Sequence, residues 1–314
     1  MPTFDCITVG NAVIDTSLTL HDDNKAISLN KPEHLLCVPY GQKILLKSCE
    51  FLVGGNACNV AVGLRRAGFH TGLVAELADD EFSEKIVNEL KKEKVDISQV
   101  IRRKGQSSFS IGLNFQKERT LFIEHQERSH LFEFSDLQTK LIYLTSLGLK
   151  WTHVYEKVVK YVVAHQETIL AFNPGSRQFH DGVSLFSFVL PVTTILFVSK
   201  EEAEKIVGAK LEIKDLLVRI KEKGPRVVVI TDGEKGSYCL DERDSIYHKE
   251  ALKVPVVEKT GAGDSYATGF LAAYLKDMKI ETCMDWGTHN AASVIGRVGS
   301  QPGLLTREEL EKRI

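Results

Sequence analysis

The sequence lacks the features that mark several common classes of protein. It contains no uninterrupted apolar run of about 18 residues, so it predicts no membrane-spanning helix and no membrane partner. Its formal net charge is −2, without the basic excess typical of nucleic-acid binding, so we expect no nucleic-acid partner. The first residues show none of the three regions of a signal peptide, and we therefore expect a cytoplasmic protein.

Metal-binding and familiar nucleotide-binding motifs are also missing. The six cysteines are scattered, with no CxxC pair and no Cys/His cluster, which indicates reduced thiols and argues against a zinc site. The P-loop pattern GxxxxGK[ST] is absent. Gly261, Gly263 and Gly269 do not have the spacing GxGxxG and lie near the C-terminus, which argues against a dinucleotide-binding dehydrogenase.

Short apolar runs alternate along the chain with stretches of helical periodicity. The apolar runs predict strands at 6–9, 71–77, 141–145, 169–172, 195–198 and 226–230, and the periodic stretches predict helices at 56–67, 80–93, 153–165, 201–207 and 212–222. Buried strands that alternate with helices predict an α/β fold, with a doubly wound, mainly parallel sheet flanked by helices. We expect a single domain over residues 1–314.

Two segments interrupt this alternation. Residues 16–53 and 106–124 contain alternating apolar and polar residues but no convincing helix. Both could join one small β-sheet beside the main one, and a long excursion of this kind is often a binding element. We expect these segments to form a lid.

A first glycine motif, GGNACN, begins at Gly54. Gly54 and Gly55 allow close backbone approach to a ligand or a sharp turn into the helix that follows. Asn56 and Asn59 lie near the start of that helix, where their amides could bind sugar hydroxyls or cap backbone groups. Taken alone, this motif is better explained by a plain glycine turn with an Asn cap.

A second motif, TGAGD, precedes an amphipathic pattern that predicts a helix beginning near Gly263. The free N–H groups and the dipole at such a helix start favour an anion. Asp264 would repel an anion, so it is either an ordinary helix cap or a general base that acts on a substrate hydroxyl.

Seven sequence motifs in order resemble the ribokinase-like, or PfkB, family of ATP-dependent carbohydrate and nucleoside kinases across nearly the whole chain. They read VGNAVID, GGNACNVAVGLRRAG, DDEF, FNPGSRQ, FVSKEEAEKI, VITDGEKG and TGAGDSYATGF. The family fold is a doubly wound α/β domain with a β-sheet lid, which agrees with the two irregular segments.

The resemblance implies a role for each matching position. Asp264 would be the catalytic base, and the backbone of Gly261, Ala262 and Gly263 would form the anion hole. Substrate contacts would come from Asp15, Asn11, Gly54, Gly55, Asn59 and Asn173, and ATP contacts from Thr231, Gly233, Gly236 and Asn290. Alternatives stay open for some of these residues: a strand-end turn for Asp15, a hairpin turn for TDGEKG, and a buried amide bonded to backbone for Asn290.

The resemblance also implies ATP and Mg²⁺, with Glu202 organising the metal through water. Ser199 stands where relatives usually have Asn, which predicts either a weaker metal site or assistance from Lys200. Relatives often place an aspartate before the glycines to help bind a monovalent cation such as K⁺. Here Glu258 keeps the charge while Lys259 adds a cation of its own, so a K⁺ requirement is left open.

The expected reaction is ATP-dependent phosphorylation of a hydroxymethyl or other alcohol group of a small sugar or nucleoside. Tyr40, Phe109, Phe115 and Phe122 could stack on a nucleoside base, as in an adenosine kinase, or fill the core of the lid. A non-catalytic sugar or nucleoside sensor that retains the fold is the alternative from another class. Because lid strands often pair between subunits in this family, the resemblance also favours a homodimer.

Overall fold

A computed structural model describes residues 3–33, 35–116, 118–124, 126–134 and 137–313. Its strands are β1 (Thr3–Val9), β2 (Val13–Leu20), β3 (Ser28–Asn30), β4 (Leu35–Cys37), β5 (Leu46–Gly54), β6 (Thr71–Leu77), β7 (Val100–Arg102), β8 (Phe109–Phe115), β9 (Glu118–Glu124), β10 (Gln138–Thr145), β11 (Ile169–Asn173), β12 (Ile195–Ser199), β13 (Val227–Thr231), β14 (Ser237–Leu240) and β15 (Ile246–Lys249). Its α-helices are α1 (Asn56–Arg66), α2 (Glu81–Lys92), α3 (Thr152–Ala164), α4 (Ser176–Asp181), α5 (Lys200–Val207), α6 (Ile213–Lys221), α7 (Ala262–Tyr274), α8 (Ile280–Ile295) and α9 (Arg307–Glu311).

The central sheet has the strand order β15-β14-β13-β12-β11-β10-β1-β6-β7. Pairing is parallel from β7 to β13, whereas β14 and β15 add an antiparallel edge. The order reverses beside β1, and ligands of open α/β sheets bind beyond the strand ends at such a point. The doubly wound, mainly parallel fold expected from the sequence is therefore confirmed.

Both faces of the central sheet are covered because its strands are apolar on both sides. In β13, Val228 and Ile230 join the hydrophobic cluster that includes residues of α3 and α6. The alternate residues Val227 and Val229 join the cluster that includes residues of α7 and α8 on the opposite face. Such strands appear in a sequence as continuous apolar runs, which is why all six predicted strands are found.

A separate four-stranded sheet, which we call the small sheet, has the order β5-β2-β8-β9. It is built from both segments that interrupt the alternation of helices and strands. Leu20, Ile27 and Phe115 form its own apolar core. Strands β3 and β4 make a two-stranded hairpin beside it.

In the described ranges no helix is both long and apolar enough to cross a membrane.

Candidate active site

A cavity of about 420 Å³ lies where the carboxyl ends of the parallel strands, the start of α7 and the small sheet meet. The strand ends contribute Asn173, Ser199 and Thr231, and Asn11 follows β1. A volume of this size is ordinary for a small-molecule site. The structure brings most of the predicted site residues to its wall: Asn11, Asp15, Gly55, Asn59, Asn173, Glu202, Thr231, Gly261, Ala262, Gly263 and Asp264.

Asp264 lies in the first turn of α7 but does not cap the helix. The cap position is Gly261, and no side chain makes a capping bond there. The Asp264 carboxylate instead accepts hydrogen bonds from the side-chain amides of Asn59, at 2.9 Å, and Asn56, at 3.0 Å. Two amide donors hold one carboxylate at the cavity wall, so the simple cap interpretation does not apply.

Burial raises the pKa of Asp264 to about 6, and the hydrogen bonds from Asn59 and Asn56 oppose that rise. The nearby carboxylates of Asp15 and Glu202 add a smaller upward shift to the pKa. A general base works best when its pKa lies near the working pH, because it is then both ionised and able to hold a proton. Asp264 meets that requirement.

A second network holds Asn59 in the orientation that Asp264 needs. Its amide oxygen accepts hydrogen bonds from Ser300 Oγ at 2.9 Å and Gln301 Nε2 at 3.2 Å. With its oxygen occupied, Asn59 presents its NH₂ group to the carboxylate. Ser300 and Gln301 were not among the predicted site residues, because they lie 241 and 242 positions from Asn59 in the chain.

The start of α7 offers backbone donors to an anion. Gly261 has a φ of 76°, and a Cβ there would lie 2.5 Å from the Cβ of Ser300, so the turn requires glycine. Ala262 N–H donates to Lys259 O at 3.3 Å, whereas no acceptor for Gly263 N–H is found among the residues that the structure describes. The helix dipole adds to this positive end, and the side chains of Lys259 and Arg177 also line the cavity.

Asp15 faces the cavity from β2 and is almost fully buried. Burial raises its pKa, while the Arg119 charge and a hydrogen bond from Ser110 oppose the rise. Gly54 makes room for this carboxylate, because a Cβ at Gly54 would lie 1.9 Å from Asp15 Oδ2. Gly55 has a φ of 97°, and its Cβ would lie 2.5 Å from the backbone oxygen of Asn11.

The side chain of Asn173 is held by the scaffold at the cavity wall. Its Oδ1 accepts from Tyr143 Oη at 3.1 Å, and its Nδ2 donates to Phe197 O at 2.8 Å. Arg177 makes a two-point ion pair with Asp181, at 2.9 Å for both contacts, and also reaches the cavity.

The residues predicted to contact ATP separate into three groups. Thr231 lines the cavity, while Gly233 and Gly236 form the turn that joins β13 to the antiparallel β14 and are not part of the cavity wall. Asn290 is buried in α8, where it donates to Ser265 O at 2.7 Å and accepts from Leu305 N at 2.9 Å. Both ends of its amide are hydrogen-bonded inside the protein, as the buried-amide alternative expects, and the contact with ATP stays a prediction.

Ser199 and Glu202 form a capping box at the start of α5. Ser199 Oγ accepts from Glu202 N at 3.2 Å, and Glu202 Oε2 accepts from Ser199 N at 2.8 Å. Burial raises the pKa of Glu202, whose side chain lines the cavity. No cluster of three His, Cys, Asp or Glu suited to a metal occurs in the described ranges. Mg²⁺ is commonly held by one or two carboxylates together with substrate phosphates, so Glu202 fits that role.

The two charged residues before the glycines, Glu258 and Lys259, lie in different surroundings. Glu258 is buried and pairs with Arg119 of β9, and it does not pair with its neighbour Lys259, which lines the cavity. The four aromatic residues considered for base stacking lie in three different places: Phe115 is in the small-sheet core, Phe109 lines the cavity, and Tyr40 and Phe122 are exposed.

The fold is similar to that of several solved kinases. The ribokinase of Arabidopsis thaliana, solved with ribose and ATP, superposes with a TM-score of 0.82 at 17% identity, covering 99% of this chain and 98% of that one. The nucleoside kinase of Methanocaldococcus jannaschii superposes with a TM-score of 0.78 at 21% identity, covering 99% of this chain and 98% of that one. The nucleoside kinase of Burkholderia thailandensis, solved with inosine, superposes with a TM-score of 0.80 at 17% identity, covering 98% of this chain and 95% of that one.

Curated relatives match over almost their full length. The 5-dehydro-2-deoxygluconokinase of Bacillus subtilis (strain 168) is 25% identical over 335 residues, covering 99% of this chain and 96% of the relative. The enzyme of the same name from Clostridium perfringens (strain 13 / Type A) is 25% identical over 339 residues, covering 99% of this chain and 93% of that relative. The model of the pfkB family of carbohydrate kinases matches residues 22–307. This chain therefore belongs to the pfkB family of carbohydrate kinases.

Proposed function

We propose that Asp264 is the general base of an ATP-dependent phosphotransferase that acts on an alcohol group of a small sugar. The observation that carries this proposal is a buried carboxylate with a pKa of about 6, held by two amides beside a helix start where Gly263 N–H has no acceptor among the described residues. Asp264 takes the proton of the substrate hydroxyl, whose oxygen forms a bond to the γ-phosphorus of ATP. The bond from that phosphorus to the β-γ bridging oxygen breaks, and ADP leaves.

The protein stabilises this transfer by position and by charge. Gly261, Ala262 and Gly263 line the cavity at the start of α7, and we retain their amides as the anion hole, with Gly263 N–H as the donor that has no acceptor among the described residues. Lys259 adds positive charge. Mg²⁺, when bound near Glu202, would neutralise phosphate charge. Thr231 would contact the nucleotide, and we retain Gly233 and Gly236 as contacts to its outer part.

We propose a sugar acid as the acceptor. The curated relatives carry the name 5-dehydro-2-deoxygluconokinase, and a gluconate-type molecule brings a carboxylate into the site. Arg177 lines the cavity, and its guanidinium, which is paired with Asp181, would have to share its donors with this group. Asp15 and Asn11 supply a carboxylate and an amide for sugar hydroxyls. Asn173, whose amide is already bonded to Tyr143 and Phe197, would use its second N–H for such a contact.

A nucleoside is the second candidate acceptor. Phe109 lines the cavity with an aromatic ring that is held edge-on against Phe82, at 4.8 Å between ring centroids. Such a face could stack on a base. The intact Asp264 site makes the non-catalytic sensor the weaker alternative, because a pure binding protein has no use for a general base.

We propose that the small sheet is a lid. Asp15, Phe109, Ser110, Ile123 and Glu124 belong to it, and all of them line the cavity. Closing it over the substrate would exclude water, which otherwise competes for the phosphoryl group.

We further propose a homodimer through the outer edge of the small sheet. Strand β9 is at that edge and exposes Leu121, Phe122 and Ile123. An apolar edge strand is a template for pairing, and a second copy presents an identical one. Light scattering on the purified protein tests this.

We also propose that the protein acts in a reducing compartment such as the cytoplasm, because its six cysteines are free thiols.

The test of the function is a coupled assay of ADP release over sugars, sugar acids and nucleosides, with Asp264→Asn as the control. We expect turnover with a gluconate-type acid and a loss of about 10²- to 10⁴-fold in the variant. Turnover only with nucleosides would select the second candidate. An absence of ADP release with every compound would favour the sensor.

A further inference from the structure

Arg119 connects the small sheet to the loop that leads into α7. It lies in β9, and its guanidinium forms an ion pair with Glu258 and a hydrogen bond to Thr260 Oγ1. The two side chains of the ion pair are only 15% and 8% exposed. Glu258 and Thr260 lie within the three residues that precede Gly261, so this contact joins the small sheet to the anion-binding turn.

The neighbouring strand is shaped to hold this guanidinium. Gly112 of β8 lies beneath it, and a Cβ at Gly112 would come within 2.3 to 2.5 Å of Arg119 Nε, Nη2 and Cζ. Among the described residues, Arg119 Nε has no hydrogen-bond partner. Burial lowers the pKa of Arg119, although the charge of Asp15 opposes the shift. A buried ion pair contributes little net stability because desolvation offsets its attraction, so a role other than stability is the better explanation.

A chain of contacts leads from Glu258 to the proposed base. Glu258 Oε2 accepts from Gly299 N at 3.0 Å. The next residue, Ser300, packs against Gly261 and donates to Asn59 Oδ1 at 2.9 Å. Asn59 then donates to Asp264 at 2.9 Å. The position of the lid is thereby linked to the position of the carboxylate and of the turn that precedes it.

We propose that Arg119 is a positioning residue that docks the small sheet on Glu258 and supplies the cation this buried carboxylate needs. The catalytic part of this inference rests on the proposed function. When the small sheet is in place, Arg119 neutralises Glu258, and the loop that carries Gly299 and Ser300 holds Gly261 and Asn59. Turnover therefore needs no monovalent cation from solution.

The test compares Arg119→Met, Arg119→Lys, Glu258→Gln and the double variant Arg119→Met/Glu258→Gln. The control is Arg307→Met, which removes an exposed ion pair with Glu311 on α9. In Arg119→Met we expect kcat to fall by about 100-fold, as for a misplaced catalytic group, with smaller changes in KM. Millimolar guanidinium or K⁺ should restore part of the lost kcat, because either cation can neutralise Glu258. The double variant should lose less than the product of the two single losses.

Wild-type turnover should be the same in K⁺ and in tetramethylammonium salts. A strict K⁺ requirement of the wild type, or a wild-type kcat in Arg119→Met, would overturn the proposal. Hydrogen exchange gives a readout that is independent of activity: the amides of Gly299 and Ala262 should exchange faster in Arg119→Met than in Arg307→Met. Unchanged exchange would refute the coupling even if the protein is a kinase. Faster exchange in a protein without kinase activity would leave the coupling intact and refute the proposed function.

Discussion

Replacing Asp264 with Asn is expected to stabilise the folded protein near neutral pH while it removes activity. The Asp264 carboxylate is buried beside two other acidic side chains, and its pKa is raised from 3.8 to about 6. A raised pKa means that folding favours the protonated form. The ionised form therefore weakens the fold, and a neutral amide avoids that cost.

The magnitude follows from the pKa shift. Going from 3.8 to about 6 is roughly two pKa units, and one unit corresponds to about 1.4 kcal/mol, so the full penalty is about 3 kcal/mol. The penalty is absent below the unfolded pKa, grows as the pH rises from about 4 to 6, and is complete above that. The new amide must turn its NH₂ group toward Asn56 or Asn59, which costs about 1 to 2 kcal/mol, so the net gain is smaller, about 1 to 2 kcal/mol.

The assay is urea denaturation of wild type and variant at several pH values from 4 to 8. The difference in unfolding free energy should grow in favour of Asp264→Asn up to about pH 7 and then stay constant. The control is Asp80→Asn. Burial alone would raise the pKa of Asp80, but hydrogen bonds from Ser107 and Ser83 outweigh it, so the net shift is downward. The difference between wild type and Asp80→Asn should therefore be flat in this window, and a flat difference for Asp264→Asn as well would refute the reasoning.

Three further predictions concern the same site. The value of kcat/KM should fall about tenfold per pH unit below pH 6, because protonated Asp264 cannot accept a proton; a profile flat to pH 5 would contradict this. Gly261→Ala should lower the free energy of unfolding by about 1 to 3 kcal/mol, more than Gly233→Ala, whose Cβ would meet nothing within 4 Å. Glu202→Gln should leave thermal stability almost unchanged, because Gln also serves in a capping box, but should raise the Mg²⁺ concentration for half-maximal activity; an unchanged Mg²⁺ dependence would remove Glu202 from metal binding.

Elements whose structure depends on residues close together in the chain were predictable. The buried strands are continuous apolar runs, and α2, predicted at 80–93, is found at Glu81–Lys92 with Asp80 as its cap. The glycine motifs also fix their backbones locally, since Gly55 and Gly261 adopt positive φ at the turns where the sequence places them. These signals were sufficient to place Asp264 at a helix start beside the cavity.

Features that depend on distant contacts were not predictable. Nothing near Arg119 indicates that it pairs with Glu258, because that pair forms only when the small sheet packs on the loop before α7. The role of Asn290 likewise depends on Ser265 and Leu305 from other parts of the chain. Apolar periodicity alone did not predict helix α8, half of whose 16 residues are buried, although the family resemblance implies a late helix that carries Asn290.

The most direct test of the account is the rate of ADP formation by the purified protein with 5-dehydro-2-deoxygluconate and MgATP, with the product identified by mass. We predict a phosphate ester of the sugar acid, formed in equal amounts with ADP, and a loss of at least about 100-fold in Asp264→Asn. A wild-type rate in Asp264→Asn would contradict the account.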